Sequence, residues 1–396
     1  MKKRLLLLGA PVFQKPVIEK AKAMGLHVGV ADINNDAPAA SLADVFYQGS
    51  IKDYDAMLDV ARSFRPDAIL SGACDTSVVT VARLCEELGL PGNSVHSSIC
   101  STDKVAMLEC FKKGGVSSPL YEVVRKAQLK TFEPSIPYPM IVKPTDSAGG
   151  RGVNVVNSKN ELLPALEASS KAGCSGDVLV EELMKGQEVS VEVLVVGGVP
   201  HIIQVTDKLT SGAPHFFEVG HSQPTKLSDA DRLAISTLAS SAVLSVGLID
   251  SAAHVEIMMT SEGPKMVELG ARVGGDWITS YLVDNSVSGI DMVETMIRMS
   301  LGEKDFLWEY HNSGEYVAVK FMPSKRGLLK RIEGADEARK LPGVIYVEVT
   351  GRIGDQNEEA VDDTARFASV VAKGASREEA LKLCERALGL IVAYVE

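Results

Sequence analysis

The chain has 396 residues, room for roughly two to four domains of ordinary size. Hydrophobic residues make up 45% and charged residues 23%, the balance of a globular protein and not of a disordered chain. With 41 basic against 52 acidic residues the net charge is -11, which argues against a general nucleic-acid binder but not against a local phosphate site. The six cysteines (Cys74, Cys85, Cys100, Cys110, Cys174, Cys384) show no CxxC spacing, so they suggest a reducing compartment rather than a disulfide framework. The apolar start Leu5–Leu8 stops at Gly9-Ala10-Pro11, too soon for a signal core or a membrane span. The expectation is a cytoplasmic protein with no membrane and no nucleic-acid partner.

In chain order, Arg4–Leu8 reads as a buried strand and Val17–Met24 as a helix closed by Gly25. His27–Ala31 reads as a strand, Tyr54–Phe64 as a helix, Ala68–Ser71 as a strand and Val78–Leu88 as a helix ending at Gly89. This alternation predicts a doubly wound parallel sheet. Ser101–Gly114 reads as a helix, and 121–139 as a linker into a new unit. Met140–Pro144, Gly152–Val156 and Val178–Glu182 read as strands, with a helix at Glu161–Ala168 interrupted by Pro164. Val189–Val196 is a strand, Ala230–Val246 a helix, and Ala252–Met259 and Lys265–Leu269 a pair of strands. After the helix Met292–Ser300 come strands at Tyr316–Met322, Val344–Val349 and Phe367–Lys373, then a helix at Arg377–Leu388. The fold class is α/β in front and α+β behind.

Three segments carry chemistry. Ser147–Gly152, with Gly149 and Gly150, is a glycine-rich loop between two strands, preceded by Lys143 and containing Arg151. Glycines let backbone N–H groups approach a phosphate closely. The loop is not a GxxxxGK[ST] motif, which occurs nowhere in the chain, and Gly9 does not begin a GxGxxG motif. Glu181, Glu182 and Met184 lie in a strand connector whose backbone can read a purine edge, and Glu188 can accept from a ribose diol. A turn centred on Glu262 sets Glu256 opposite Glu268, with both carboxylates on one sheet face. Opposed like charges need a proton, a cation or a metal, and Mg²⁺ takes such hard oxygen ligands. His254 reads as a structural neighbour of this pair.

Taken in this order, the segments resemble the ATP-grasp superfamily, closest to its carboxylate–amine (L-amino acid) ligase branch. The resemblance covers nearly the whole chain. It implies an ATP-grasp fold behind a pre-ATP-grasp domain, divided as 1–100, 101–305 (lid about 118–185) and 306–396. It implies Lys104 and Lys143 as the nucleotide lysines, Ser147–Gly152 as the lid over the phosphates, Glu181–Met184 as the adenine hinge and Glu188 as the ribose ligand. Glu256 and Glu268 match the magnesium carboxylates, and Arg272 the arginine that stabilises the acyl phosphate. Gly270 stands where many relatives have asparagine. His221, in a loop expected over the acyl pocket (211–222), and Asp276 are the expected substrate contacts. The implied activity is joining a carboxylate to an amine with ATP and Mg²⁺, Mn²⁺ being able to substitute, in a homodimer. A bicarbonate-dependent carboxylase and a non-catalytic ATP-binding module are the alternatives.

Overall fold

A computed structural model describes every residue except Met1, Ala148, Ala213, Pro214 and Leu307. Ala148 of the glycine loop and Ala213-Pro214 of the expected acyl loop therefore lie outside the described residues. The chain opens with a four-stranded parallel sheet in the order Val45–Gln48, His27–Asp32, Arg4–Leu8, Ala68–Leu70. Leu5, Leu6, Leu7 and Leu8 are all fully buried, as expected of a central parallel strand covered on both faces. The helix Tyr54–Phe64 buries Met57, Leu58, Ala61 and Phe64, a stripe with helical spacing. Asp53 caps its start by accepting from the Ala56 N–H. Val78–Leu88 ends on Gly89 at φ 65°, the left-handed turn that glycine adopts without a Cβ clash.

Two expectations about the next segment are corrected. The helix expected from Ser101 starts at Lys104, because Asp103 caps it, and a separate short helix Val95–Cys100 precedes it. Residues 121–139 are not all linker: Tyr121–Val124 is an edge strand. It joins an antiparallel sheet ordered Tyr121–Val124, Val178–Glu182, Met140–Pro144, Asn154–Val156. The helix Lys159–Ala172 covers this sheet with Leu162, Ala165 and Leu166 and continues through Pro164. Proline there removes one N–H donor without ending the helix.

The largest element is an eight-stranded antiparallel sheet. Its order is Gly263–Gly270, Ser251–Thr260, Gly186–Val196, Val199–Thr210, Glu218–Gln223, Tyr316–Pro323, Arg366–Gly374, Val344–Val349. The sheet is continuous across residue 305, because Glu218–Gln223 pairs directly with Tyr316–Pro323. The helix Asp229–Ser245 packs Ile235, Leu238, Ala239, Ala242 and Val243 into the core that it shares with Val189, Val191, Val193 and Val255. The loop expected at 211–222 over the acyl pocket is also corrected: Glu218–Gln223 is an internal strand, with His221, Ser222 and Gln223 buried. No helix among the described residues is long and apolar enough to cross a membrane.

Candidate active site

The strands Ser251–Thr260 and Gly263–Gly270 are joined at Ser261-Glu262, and from Thr260↔Gly263 the register runs regularly to Ile257↔Met266. Continued unbroken, it would set Glu256 against Val267. An irregularity between Glu256 and Ile257 inserts one residue, and Glu256 faces Glu268. A bulge of this kind bends a strand and re-aims its side chains. Both carboxylates are partly open to solvent, at 23% and 33% side-chain exposure. Each is met by a lysine: Glu268 Oε2 lies 2.8 Å from Lys104 Nζ, and Glu256 Oε2 lies 2.9 Å from Lys208 Nζ.

Lys208 is the hub of the site and was not singled out from the sequence. Its ammonium, on a side chain only 6% exposed, reaches Glu188 at 2.7 Å, Glu218 at 2.8 Å and Glu256 at 2.9 Å. Three acceptors use its three protons. Burial alone would favour neutral lysine, but the three carboxylates hold its pKa well above the usual lysine range. Burial pulls Glu218 upward, and Lys208 and His221 more than offset this, so it stays well below the usual carboxylate range. Glu188 goes the other way, raised by burial against the pull of Lys208.

On the neighbouring flank, Lys104 also donates to the Ser147 carbonyl at 2.9 Å. Lys143 Nζ lies 2.7 Å from Glu181 Oε2, a pair with side chains 8% and 6% exposed, while the buried Glu181 Oε1 has no hydrogen-bond partner. Glu182 binds Lys265 at 2.8 Å, and Met184 is half-buried in the connector between Val178–Glu182 and Gly186–Val196. Gly149, Gly150 and Gly152 have φ of 67°, 70° and 77°, backbone angles that other residues resist. The glycine loop approaches the C-terminal part of the chain: a Cβ at Gly150 would stand 3.6 Å from Asp363 Oδ2, and one at Gly149 4.0 Å from Thr364 Cγ2.

Burial, with Glu218 and Asp276 adding to it, pushes the Asp363 carboxyl up to about 7. Asp363 therefore gains its charge near neutrality, beneath the glycine loop. Binding of a phosphate-bearing anion under the glycine loop is expected to weaken between pH 6 and 8 as this charge forms. Asp363→Asn should flatten that decline, and an unchanged steep profile in the variant would assign the titration to another group.

Arg272 is tied to the N-terminal sheet. Its Nε donates to Asp75 Oδ1 at 2.7 Å and its Nη2 to Asp75 Oδ2 at 2.8 Å, a two-pronged pair that fixes the guanidinium plane. Gly270 has a reason in this pair. A Cβ there would come 2.7 Å from Asp75 Oδ1 and 3.3 Å from Arg272 Nε. His254 Nδ1 lies 2.5 Å from Glu192 Oε1, whose carboxylate also accepts from Gly274 N at 3.0 Å and Thr279 Oγ1 at 2.9 Å. The His254 Nε2 is 3.5 Å from Glu256 Oε1.

His221 and Asp276 are brought together, but as parts of a buried network. His221 is fully buried, with Nε2 3.1 Å from Glu218 Oε2 and 3.5 Å from Asp276 Oδ2. Asp276 Oδ1 binds Arg366 Nη1 at 2.7 Å, and Arg366 lies over the Phe321 ring at 3.7 Å. Asp276 and Trp277 both have positive φ, 52° and 64°, ahead of a π-helix at Ile278–Val283. Consecutive non-glycine residues in that region store strain, a feature that clusters at functional sites. Sequence reading did not assign roles to Lys208, Glu192, Glu218, Asp363 or Arg366. The one available signal was a charged residue inside a strand, and Glu192, between Val191 and Val193, carries it most clearly.

With this geometry in place, two family models match parts of the chain. Residues 136–281 match the model of an ATP-grasp domain, and residues 320–396 match L-amino acid ligase C-terminal domain 2. The fold is that of ATP-grasp proteins. Within that fold, the chain carries a segment that matches ATP-grasp domains and a C-terminal segment that matches those of L-amino acid ligases. A crystal structure of an L-amino acid ligase from Bacillus licheniformis superposes with a TM-score of 0.88 at 21% identity, over 100% of this chain and 99% of that one. Carnosine synthase 1 of Mus musculus is 26% identical over 333 residues, which are 76% of this chain and 40% of the relative. Alanine–anticapsin ligase of Bacillus subtilis is 26% identical over 280 residues, 63% of this chain and 57% of the relative. The chain thus spans well under two thirds of these curated relatives.

Proposed function

We propose that the chain is an ATP-dependent ligase that joins a carboxylate, an amino acid, to an amine through an acyl phosphate, releasing ADP and phosphate. The observation that carries this reading is the opposed pair Glu256 and Glu268, each met by a lysine with a largely buried side chain, Lys208 and Lys104, with Lys143 on Glu181 and Arg272 on Asp75 as further ion pairs. The donor set fits Mg²⁺: two adjacent, partly exposed carboxylates of hard oxygen, which suit Mn²⁺ as well. Glu256 and Glu268 would hold the ion, which neutralises phosphate charge when bound. Gly270 offers no side-chain ligand between them and Arg272.

The chain's own residues then divide the work. Lys104 and Lys143 bind phosphate oxygens, and the loop at Ser147, Gly149 and Gly150 covers them and excludes water. The connector Glu181–Met184 reads adenine through its backbone, with Glu182 beside it, and Glu188 takes the ribose. ATP transfers its terminal phosphoryl group to the substrate carboxylate, the amine attacks the acyl carbon, and phosphate leaves. Arg272, held in orientation by Asp75, offsets the charge that grows on the acyl oxygen and phosphate. His221 and Asp276 shape the substrate side. No nucleophilic side chain is needed, because catalysis rests on orientation and charge. The reading includes a front domain ending near residue 100, small-molecule partners, a homodimer and a cytoplasmic setting, which suits the free cysteines.

The test is phosphate release from Mg·ATP across amino acids, singly and in pairs, with Glu268→Ala as control. Release that requires two amino acids and vanishes in the variant supports the ligase. Release driven by bicarbonate alone would replace it with a carboxylase. ATP binding with no release under any pair would reduce the chain to a binding module.

A further inference from the structure

A second group of ligand atoms gathers away from the carboxylate pair, where the helix Val95–Cys100 meets the helix Lys104–Gly114. His96 and Cys100 are four residues apart and so share one helix face. Cys110 comes from the next helix. The Cys100 Sγ lies 3.7 Å from His96 Nε2 and 3.2 Å from Cys110 Sγ. One ligand atom from each residue fits within a 4.8 Å group. Ligands bound to tetrahedral Zn²⁺ stand about 3.5–3.8 Å from one another. The histidine–cysteine edge already has that length, and the cysteine–cysteine edge reaches it by opening roughly half an ångström.

We infer that His96, Cys100 and Cys110 form a binding site for a thiophilic cation, Zn²⁺ with water as its fourth ligand. Thiolate and imidazole select such an ion and reject the Mg²⁺ that suits Glu256 and Glu268. The site has an entry path: Cys100 is buried at 2% exposure, Cys110 is half-buried and His96 is exposed. The cation binds the thiolate forms of both cysteines, so it displaces their protons. One Zn²⁺ and two thiols give the dithiolate complex and two protons, with no change of oxidation state. Binding therefore tightens as pH rises. The charged groups acting on Cys100 are Lys113, which favours its thiolate, and Asp103, which opposes it. The ion would clamp the two helices on either side of the turn at Asp103, the residue that caps the helix beginning at Lys104. It would thereby tie a nucleotide-site lysine to a metal outside that site.

The test uses the full chain, reduced and freed of metal, with Cd²⁺ as a spectroscopic probe and Zn²⁺ in a thermal-shift assay. The expected result is one Cd²⁺ per chain, seen by thiolate-to-metal charge-transfer absorption, and a Zn²⁺-dependent rise in melting temperature. Because Cys100 is packed in the core, the half-buried Cys110 carries the test. Cys110→Ser should abolish both signals, His96→Ala should weaken binding, and Cys174→Ser, at an exposed cysteine elsewhere, should change neither. Signals that persist in Cys110→Ser would overturn the inference. So would loss of both thiols with no metal bound, reversed by dithiothreitol, since the pair would then be a disulfide.

Discussion

Replacing Lys208 by methionine is expected to destabilise the fold by about 3–5 kcal/mol and to abolish turnover. The volume is nearly kept, so the loss is electrostatic. Lys208 is the shared counter-ion of Glu188, Glu218 and Glu256. Without it, three crowded carboxylates face one another in a site that already disfavours charge. Their folded-state pKa values then rise above the unfolded values. A carboxylate shifted upward loses stability as pH rises through the interval between those values. The cost in Lys208→Met should therefore be largest at neutral and alkaline pH and shrink on acidification. Denaturant melts of both proteins across pH 4–8 read this directly. A pH-independent difference would mean that packing, not charge, is what Lys208 supplies.

Gly270→Asn, which installs the residue many relatives carry, is expected to cut turnover about a hundredfold, the scale of a misplaced catalytic group. The cause is local. A side chain at residue 270 enters the space of the Asp75–Arg272 pair, 2.7 Å from Asp75 Oδ1. Something must shift, and Arg272 is the group whose orientation the pair sets. ATP affinity should change little, because Lys104 and Lys143 lie on other elements. The double variant Asp75→Gly/Gly270→Asn separates clash from other effects. If the clash is the cause, removing Asp75 makes the second change nearly free, and the double variant should be no worse than Asp75→Gly alone. Simple additivity of the two losses in turnover would refute that account.

Much of this architecture is legible in the sequence because burial and periodicity coincide. Leu5–Leu8, Tyr54–Phe64, Val78–Leu88 and Arg377–Leu388 announce themselves by apolar spacing and by caps or glycine stops. The glycine loop and the Glu256–Glu268 opposition are legible for the same reason, although the latter owes its register to a bulge that cancels a shift in the turn centre. What was hidden is polar and buried. Residues 211–222 read as a loop because of their turn residues and histidines, until Lys208 and Arg366 supply Glu218 with partners from distant strands. Those partners lie between 10 and 148 residues away in sequence, so no local pattern records them. The edge strands Val45–Gln48 and Tyr121–Val124 are only half-buried, and their alternation is correspondingly weak.

The order in which the sheet is threaded has a consequence for the newly made chain. The strand Glu218–Gln223 pairs on one side with Val199–Thr210, which leaves the ribosome before it, but on the other with Tyr316–Pro323, which follows about ninety residues later. During synthesis it waits as an open edge, able to pair with whatever strand arrives first. Arg366, the partner of Asp276, emerges later still. The nascent protein thus carries an incomplete site and a vulnerable seam until Tyr316–Pro323 and Arg366 are translated. Truncation before residue 316 should yield insoluble chain rather than a smaller nucleotide-binding fragment.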